Sequence, residues 1–470
     1  MKLSESLRIQ AAPRLALVGA GGKTTALFQL AGELTQAHAR TSSLSVLVTC
    51  STHLGLDQAR LADHHFVLHE AEEVESIAES LPSGVILFTG VESGDGRWSG
   101  LDSVALESLS ALAERFKLPL LIEADGSRMR PLKAPAAHEP AIPPFVDTVL
   151  VVAGLSALGQ PLAGEWIHRP EIFASLAGVF TKARISPEAV VRVLTHPQGG
   201  LKNIPAEARR LVLLNQADTN DLQSIAGSMA RDLLNVYQGV IVGALNPPIS
   251  SISSQVSPPV SRFTPQPSPV YAVYEHVAGV ILAAGESRRF GQPKPLLHWR
   301  GQPFIRHVIS VAQEAGLSPV MVVSGAYKDQ IVQACAGLKV ELVYNPDWGE
   351  GQSASLRAGL RALNAEAGAA VFLLADQPQV SAGLISALVE AHAAGLPEVV
   401  APLVDGQRAN PTLFDRRTFP ELMTLQGDVG GRALFSKYAI AWVPWHDPSL
   451  LLDVDTAEDY QRLLEMDGGT

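Results

Sequence analysis

Two stretches of this chain hold residue types suited to phosphate. In "GVILAAGESRRFGQPKPLL", residues 279–297, an apolar run breaks into a loop with Gly285, Arg288, Arg289, Gly291 and Lys294. In "ALVGAGGKTTALFQL", residues 16–30, Gly19, Gly21, Gly22, Lys23, Thr24 and Thr25 sit between an apolar run and a helical pattern. Glycines let backbone amides approach phosphate, cations neutralise it, and a threonine hydroxyl beside the lysine can reach Mg²⁺. This second loop is not the eight-residue Walker signature, whose first glycine would fall at Leu17; it has the shorter form G-x-G-G-K-T-T. Carboxylates able to hold a metal against phosphate stand in "LLADQP" (Asp376), "LLDVDT" (Asp453 and Asp455) and "LLIEADG" (Glu123 and Asp125). A shared role is not expected of Asp453 and Asp455.

The elements that must position these groups follow from hydrophobic pattern. Before residue 246 the apolar runs "RLALVGA", "LSVLVTC", "GVILFTG", "LPLLIEADG", "DTVLVVAG", "RLVLLNQAD" and "GVIVGA" alternate with helical or loop segments. After residue 275 "AGVILAAG", "PVMVVSGA", "VELVYNP", "AAVFLLADQP", "EVVAPLV" and "AIAWVPW" do the same. Uniformly apolar strands separated by helices predict largely parallel sheets covered on both faces, in which ligands bind beyond the carboxyl ends of strands. Between the halves, residues 246–269 are dominated by Pro and Ser and lack either hydrophobic period. The expected organisation is a domain over 1–248, a linker over 249–275 and a second domain over 276–470, with no internal repeat.

Composition narrows the partners. A 470-residue chain with 47% hydrophobic and 18% charged residues fills globular cores, and a net charge of −11 argues against nucleic acid as partner. No apolar run reaches the ~18 residues of a membrane span. Cys50 and Cys335 form no disulfide framework or zinc pattern, which predicts buried thiols and a cytoplasmic setting. His53, His138 and His168 are expected to serve structure.

The spacing Leu282-Ala283-Ala284-Gly285-x-Ser287-x-Arg289-x-Gly291-x-x-Lys294-Pro-Leu, followed by "LLADQP", "NPTLF" from Asn410, "LQGDVGGR" ending at Arg432 and "LLDVDTAED", resembles the MobA-like nucleotidyltransferases over residues 277–463. Within them it looks closest to molybdenum cofactor cytidylyltransferase. The resemblance implies transfer of CMP from CTP to molybdenum-bearing molybdopterin with release of pyrophosphate. It implies Arg289, Lys294 and Asp376 as catalytic groups, and Leu282, Ala283, Ala284, Gly285, Arg289, Lys294, Gln352 and Ser353 as nucleotide contacts. Mg²⁺ would sit on Asp376 and Asp455, with Asn410, Asp428 and Arg432 on the acceptor. Guanylyltransferases of the family tend to have two glycines where this chain has Ala283 and Ala284, which favours the smaller base of CTP over GTP.

The loop at Gly19–Thr25, "VLVTCSTHL" and "LLIEADGSRMRPLKAPAAHEPAIP" resemble the selenium-dependent hydroxylase accessory protein family over residues 12–247. That resemblance implies a nucleotide, ATP or GTP, held by Gly19, Gly21, Gly22, Lys23, Thr24, Thr25 and Asp125, and a molybdenum hydroxylase apoenzyme as partner. The predicted fold class is α/β: two tandem three-layer Rossmann-like domains, P-loop-like at the N-terminus and nucleotidyltransferase, GT-A-like, at the C-terminus. The competing readings are a non-catalytic adaptor that delivers cofactor, and a guanylyl or sugar-phosphate nucleotidyltransferase.

Overall fold

The computed structural model describes residues 1–38, 45–94, 96–245, 269–287 and 290–467. Two compact units divide the chain, Met1–Tyr274 and Glu275–Thr470.

In the N-terminal unit nine strands form one sheet. Its order is Val270–Glu275, Gly239–Gly243, Arg209–Asn215, Thr148–Gly154, Arg14–Gly19, Leu120–Glu123, Ser45–Cys50, Gly84–Thr89 and His64–Val67. The seven strands expected from the apolar runs are all present, and they pair with one another in parallel. They read as unbroken apolar runs because both faces are covered: Ala16 and Val18 face one core, while Leu15 and Leu17 on the other side are equally buried. The strand that bears the glycine loop is central, and its carboxyl end opens directly into the helix Lys23–His38. Half-buried His64–Val67 joins parallel at the far edge and was not visible as an apolar run.

One boundary differs from expectation. Residues 270–275 of the expected linker form a strand at the edge of this sheet, because "VYAVYE" buries Val270, Val273 and Glu275. Residues 246–268, the bulk of the expected linker, lie outside the described residues.

The C-terminal unit holds a mixed sheet ordered Glu341–Tyr344, Val320–Ser324, Val277–Ala283, Ala369–Leu374, Thr412–Asp415, Val399–Val404 and Gln407–Arg408, with Ile440–Pro444 paired on Val399–Val404. The first four strands run parallel. Thr412–Asp415 runs antiparallel to both its neighbours. Alternation along the central strand sends Val277, Ile281 and Ala283 into one core, with the helices Phe304–Glu314 and Ala382–Ala393, and Ala278 and Val280 into another, with the helix Gln352–Ala362. The result is three layers. No helix of the described residues is long and apolar enough to cross a membrane.

Candidate functional site

In the C-terminal unit the chemistry collects where the central parallel strands end. Past Ala283 the chain enters the loop, where Ser287 (φ 51°) and Gly291 (φ 76°) turn it. Tyr327 donates its hydroxyl to Glu286 O at 3.0 Å, and Lys294 N donates to Ser287 Oγ at 3.2 Å. The loop therefore delivers Lys294 inward, where it is 9% exposed. Its ammonium lies 2.6 Å from Asp455 Oδ1 and 3.3 Å from Asp376 Oδ2. Burial pulls the Lys294 pKa down, but the two carboxylates outweigh it and the ammonium is held above its ordinary range. Asp376 is shifted up, since burial exceeds the opposing pull of Lys294 and nearby Asp453 adds to the rise.

Residues 452–455 are not in a strand, and the structure brings Asp453 and Asp455 together where a shared role was not expected. Asp376, Asp453 and Asp455 all line one cavity of about 320 Å³. Asp453 accepts a bond from Gln377 Nε2 at 2.6 Å, and Gln379 Nε2 donates to Leu452 O at 2.6 Å. Asp459 accepts from the backbone N–H of Asp455 at 3.3 Å and of Thr456 at 3.0 Å, fixing the turn that presents Asp455. Two carboxylates already meeting at one cation suit a divalent ion that also takes phosphate oxygens and water. Among the described residues no group of three His, Cys, Asp or Glu side chains forms a metal cage.

The other expected contacts divide. Leu282, Gln352, Asn410 and Arg432 line the cavity. Ala283 and Ala284 do not: both methyls are buried, the first in the core and the second against Gly325, where a Cβ would come within 2.8 Å of it. Gly285 is exposed with open space around it. Ser353 is fully buried and donates to Gly427 O at 2.7 Å, so it anchors the "GDVGGR" loop rather than facing the cavity. Exposed Asp428 accepts from Gln352 N at 3.3 Å. Arg289 lies outside the described residues.

In the N-terminal unit the glycine loop is held tightly. Gly19, Gly21 and Gly22 have φ of 97°, 81° and 118°, and a Cβ on Gly19 would sit 2.2 Å from Val152 O. Three loop amides are spoken for: Gly19 N by Asp125, Ala20 N by Val152 O and Gly21 N by Arg130 O. The first-turn amides of the helix from Lys23 have no intrahelical acceptor. Lys23 Nζ reaches Gly19 O at 2.7 Å and Asp125 Oδ1 at 3.2 Å, while Thr24 donates to Glu123 Oε2 at 2.8 Å. Burial lowers the Lys23 pKa, and Asp125 and Glu123 more than reverse it. For Glu123 burial prevails over Lys23 and the pKa rises. Thr25 is half-buried beside them.

Asp125 belongs to a buried chain of charges that sequence reading missed. Lys133 Nζ bonds Asp125 Oδ2 at 2.7 Å and Glu139 Oε2 at 3.0 Å, and Arg169 grips Glu139 at 2.7 and 3.0 Å. The available signal was a lone Lys and a lone Glu within the apolar "PLKAPAAHEPAIP". His168 beside them is held near 4 by burial and by Arg169 and Lys133. Cys50, buried opposite Glu123 in register, is pushed up to about 12 by burial and is no nucleophile.

The two units match different families of known proteins. Residues 15–171 match the YqeC protein family and residues 279–441 match the MobA-like NTP transferase domain. The chain is 36% identical over 204 residues to the uncharacterized protein YqeC of Escherichia coli, covering 43% of this chain and 75% of that one. It is 29% identical over 200 residues to a probable molybdenum cofactor guanylyltransferase of Bacillus cytotoxicus, covering 40% of this chain and 96% of that one. With the purine catabolism protein PucB of Bacillus subtilis it is 32% identical over 200 residues, again 40% of this chain and 96% of the relative. Through its N-terminal unit the chain belongs to the YqeC family, and its C-terminal unit is a MobA-like NTP transferase domain.

Proposed function

We propose that the C-terminal unit transfers CMP from CTP to molybdenum-bearing molybdopterin and releases pyrophosphate. The observation that carries this is Lys294 held between Asp376 and Asp455 at the carboxyl end of the central strands. A phosphate oxygen of the acceptor forms a bond to the α-phosphorus while the bond to the β-phosphate oxygen breaks, and the electron pair leaves with pyrophosphate. The acceptor phosphate is already ionised near neutral pH, so positioning and charge do the work and no Ser–His pair is required. A divalent cation such as Mg²⁺ on Asp376 and Asp455 would neutralise the phosphates. Lys294, displaced from those carboxylates, would follow the negative charge onto the triphosphate, with Arg289 and the amides near Gly285.

The choice of CTP rests on the resemblance at Leu282–Gly285. Because the Ala283 and Ala284 methyls are turned into packing, they would act on base choice through the path of the loop they anchor. Relatives named molybdenum cofactor guanylyltransferases favour GTP as the second reading. For the N-terminal unit we propose ATP or GTP binding at Gly21–Thr25, with Lys23 leaving Asp125 for phosphate, in a maturation step for a molybdenum hydroxylase. The packed glycine loop and the Thr24–Glu123 pair support it. Incubation of the full chain with CTP, GTP or ATP, molybdenum-loaded molybdopterin and Mg²⁺, with identification of the product, tests base, acceptor and chemistry together. No dinucleotide from any triphosphate would refute the transfer reading.

A further inference from the structure

One buried polar residue of the N-terminal unit has no task in the phosphate chemistry above. Asn215 ends the strand Arg209–Asn215 after the apolar run "LVLL", and it is 1% exposed. Its strand stands two places from Arg14–Gly19, which bears the glycine loop, with Thr148–Gly154 between them. Even so, Asn215 Nδ2 donates to Gly21 O at 2.7 Å, while Leu245 N donates to Asn215 Oδ1 at 2.8 Å. A carbonyl on one side and an N–H on the other fix which end of the amide is which. This one side chain therefore ties together the glycine loop, the end of its own strand and the residues just past the strand Gly239–Gly243. An amide buried this completely is tolerated because both of its ends are bonded.

The turn that follows is held residue by residue. Gln216 lies in the left-handed region at φ 60°, and its Oε1 accepts from Ser156 Oγ at 2.6 Å. Ala217 is buried; its N–H donates to Gly243 O at 3.0 Å and its carbonyl accepts from Gln223 Nε2 at 3.1 Å. Thr219 caps the helix Asn220–Leu233 by accepting from Leu222 N at 3.2 Å. Between these anchors the turn carries Asp218 out to solvent. A plain surface carboxylate ahead of a helix gives no reason to lock its turn to a glycine loop two strands away. A ligand that touches both ends of the lock does.

We infer that residues 215–219 form the base end of the N-terminal nucleotide site and that Asp218 reads guanine, so that this unit takes GTP and not ATP. This rests on the reading of the glycine loop as the phosphate end of that site. Guanine carries N1–H and its C2 amino group side by side, two donors matched to the two oxygens of a carboxylate. Adenine has a lone pair at N1 and no donor at C2, so a carboxylate there meets an acceptor with an acceptor. Asn215 keeps the reader at a constant distance from the phosphates, which makes the turn a ruler for the base as well as a fixed support.

The test titrates the full chain calorimetrically with Mg·GTP, Mg·ATP and Mg·XTP, the xanthine nucleotide, in the wild type, Asp218→Asn, Asp218→Ala and Lys23→Ala. Binding that persists in Lys23→Ala belongs to the C-terminal unit and is subtracted. The remainder should favour GTP over ATP on the order of 100-fold, as expected for two hydrogen bonds to a charged group. Xanthine keeps N1–H but has a carbonyl at C2, which the carboxamide of Asp218→Asn can meet with a donor while its oxygen accepts from N1–H. Asp218→Asn should therefore lose GTP and gain XTP, each at least ~10-fold, so that XTP overtakes GTP. Asp218→Ala should lose the GTP preference without gaining XTP. A merely structural Asp218 would weaken all three nucleotides alike. Lys23-dependent binding with ATP equal to or above GTP, or no gain of XTP in Asp218→Asn, overturns the inference and leaves the phosphate reading intact. No Lys23-dependent binding of any triphosphate overturns both.

Discussion

At the scale of single residues, Asp376 and Glu139 have opposite fates. Asp376 is forced up by burial even with Lys294 beside it, so its charge is costly and is kept for a task. Asp376→Asn removes that charge at constant volume and should lower the transfer rate on the order of 100-fold or more, with the far-ultraviolet spectrum unchanged. Near-normal turnover would remove Asp376 from the mechanism. For Glu139 burial pushes the pKa up, but the grip of Arg169 and Lys133 overcomes it and holds the carboxyl at about 2 against an ordinary 4.5. Its folded-state value is depressed, so its stabilisation is complete above the ordinary value and is lost as pH falls through about 2. The linked contribution is on the order of 3 kcal/mol at neutral pH. Glu139→Gln should lower the unfolding midpoint of the N-terminal unit at pH 7 and flatten its pH dependence in the acid range. A variant that keeps the wild-type slope there would show that other carboxylates set acid stability.

At the scale of elements, the two glycine loops give opposite predictions. Gly21 has φ of 81°, and a Cβ would fall 2.4 Å from Gly154 N and 2.7 Å from Pro131 O. Gly21→Ala should therefore cost about 3 kcal/mol or more in denaturant unfolding of the N-terminal unit. Gly285 has nothing within 4 Å of a Cβ, so Gly285→Ala should leave stability unchanged and raise KM for the triphosphate by crowding its approach. If both substitutions prove equally disruptive to folding, the Gly285 loop is a structural turn and not a ligand surface. On the same loop, Ala283→Gly with Ala284→Gly should bring the CTP to GTP preference closer to one. An unchanged ratio would locate discrimination in the 344–360 segment.

At the scale of the molecule, each unit owns its sheet, its cores and its candidate site. Residues 276–470 alone should fold and carry out nucleotidyl transfer at close to the rate of the full chain. Lys23→Ala should abolish nucleotide binding by residues 1–275, which include the edge strand of the N-terminal sheet, while leaving transfer by the full chain nearly untouched. Because Lys133 still pairs with Asp125 in that variant, the N-terminal unit should remain folded though less stable, which circular dichroism checks. Loss of transfer in the full-chain variant would mean that the units are catalytically coupled.

Hydrophobic pattern alone was enough for the strands that carry the sites: seven apolar runs became seven of the nine strands of the N-terminal sheet and six became strands of the C-terminal one, most of them apolar throughout because they are buried on both faces, while Glu341–Tyr344 and Ile440–Pro444 are largely exposed. The phosphate-handling residue types were equally plain, because glycine, lysine and carboxylate at strand ends have few other reasons to recur together. Half-buried His64–Val67, the antiparallel Thr412–Asp415 and the edge strand Val270–Glu275 were not legible, as their pairing depends on neighbours distant in sequence. Side-chain direction was likewise decided only by the tertiary structure. It turned Ala283, Ala284 and Ser353 into packing and placed Asp453 beside Asp455 on one cavity. It also joined Lys23 through Asp125, Lys133 and Glu139 to Arg169. A residue's type records what it can bond; which partner lies within a few ångströms is fixed by contacts that close only when the whole sheet has formed.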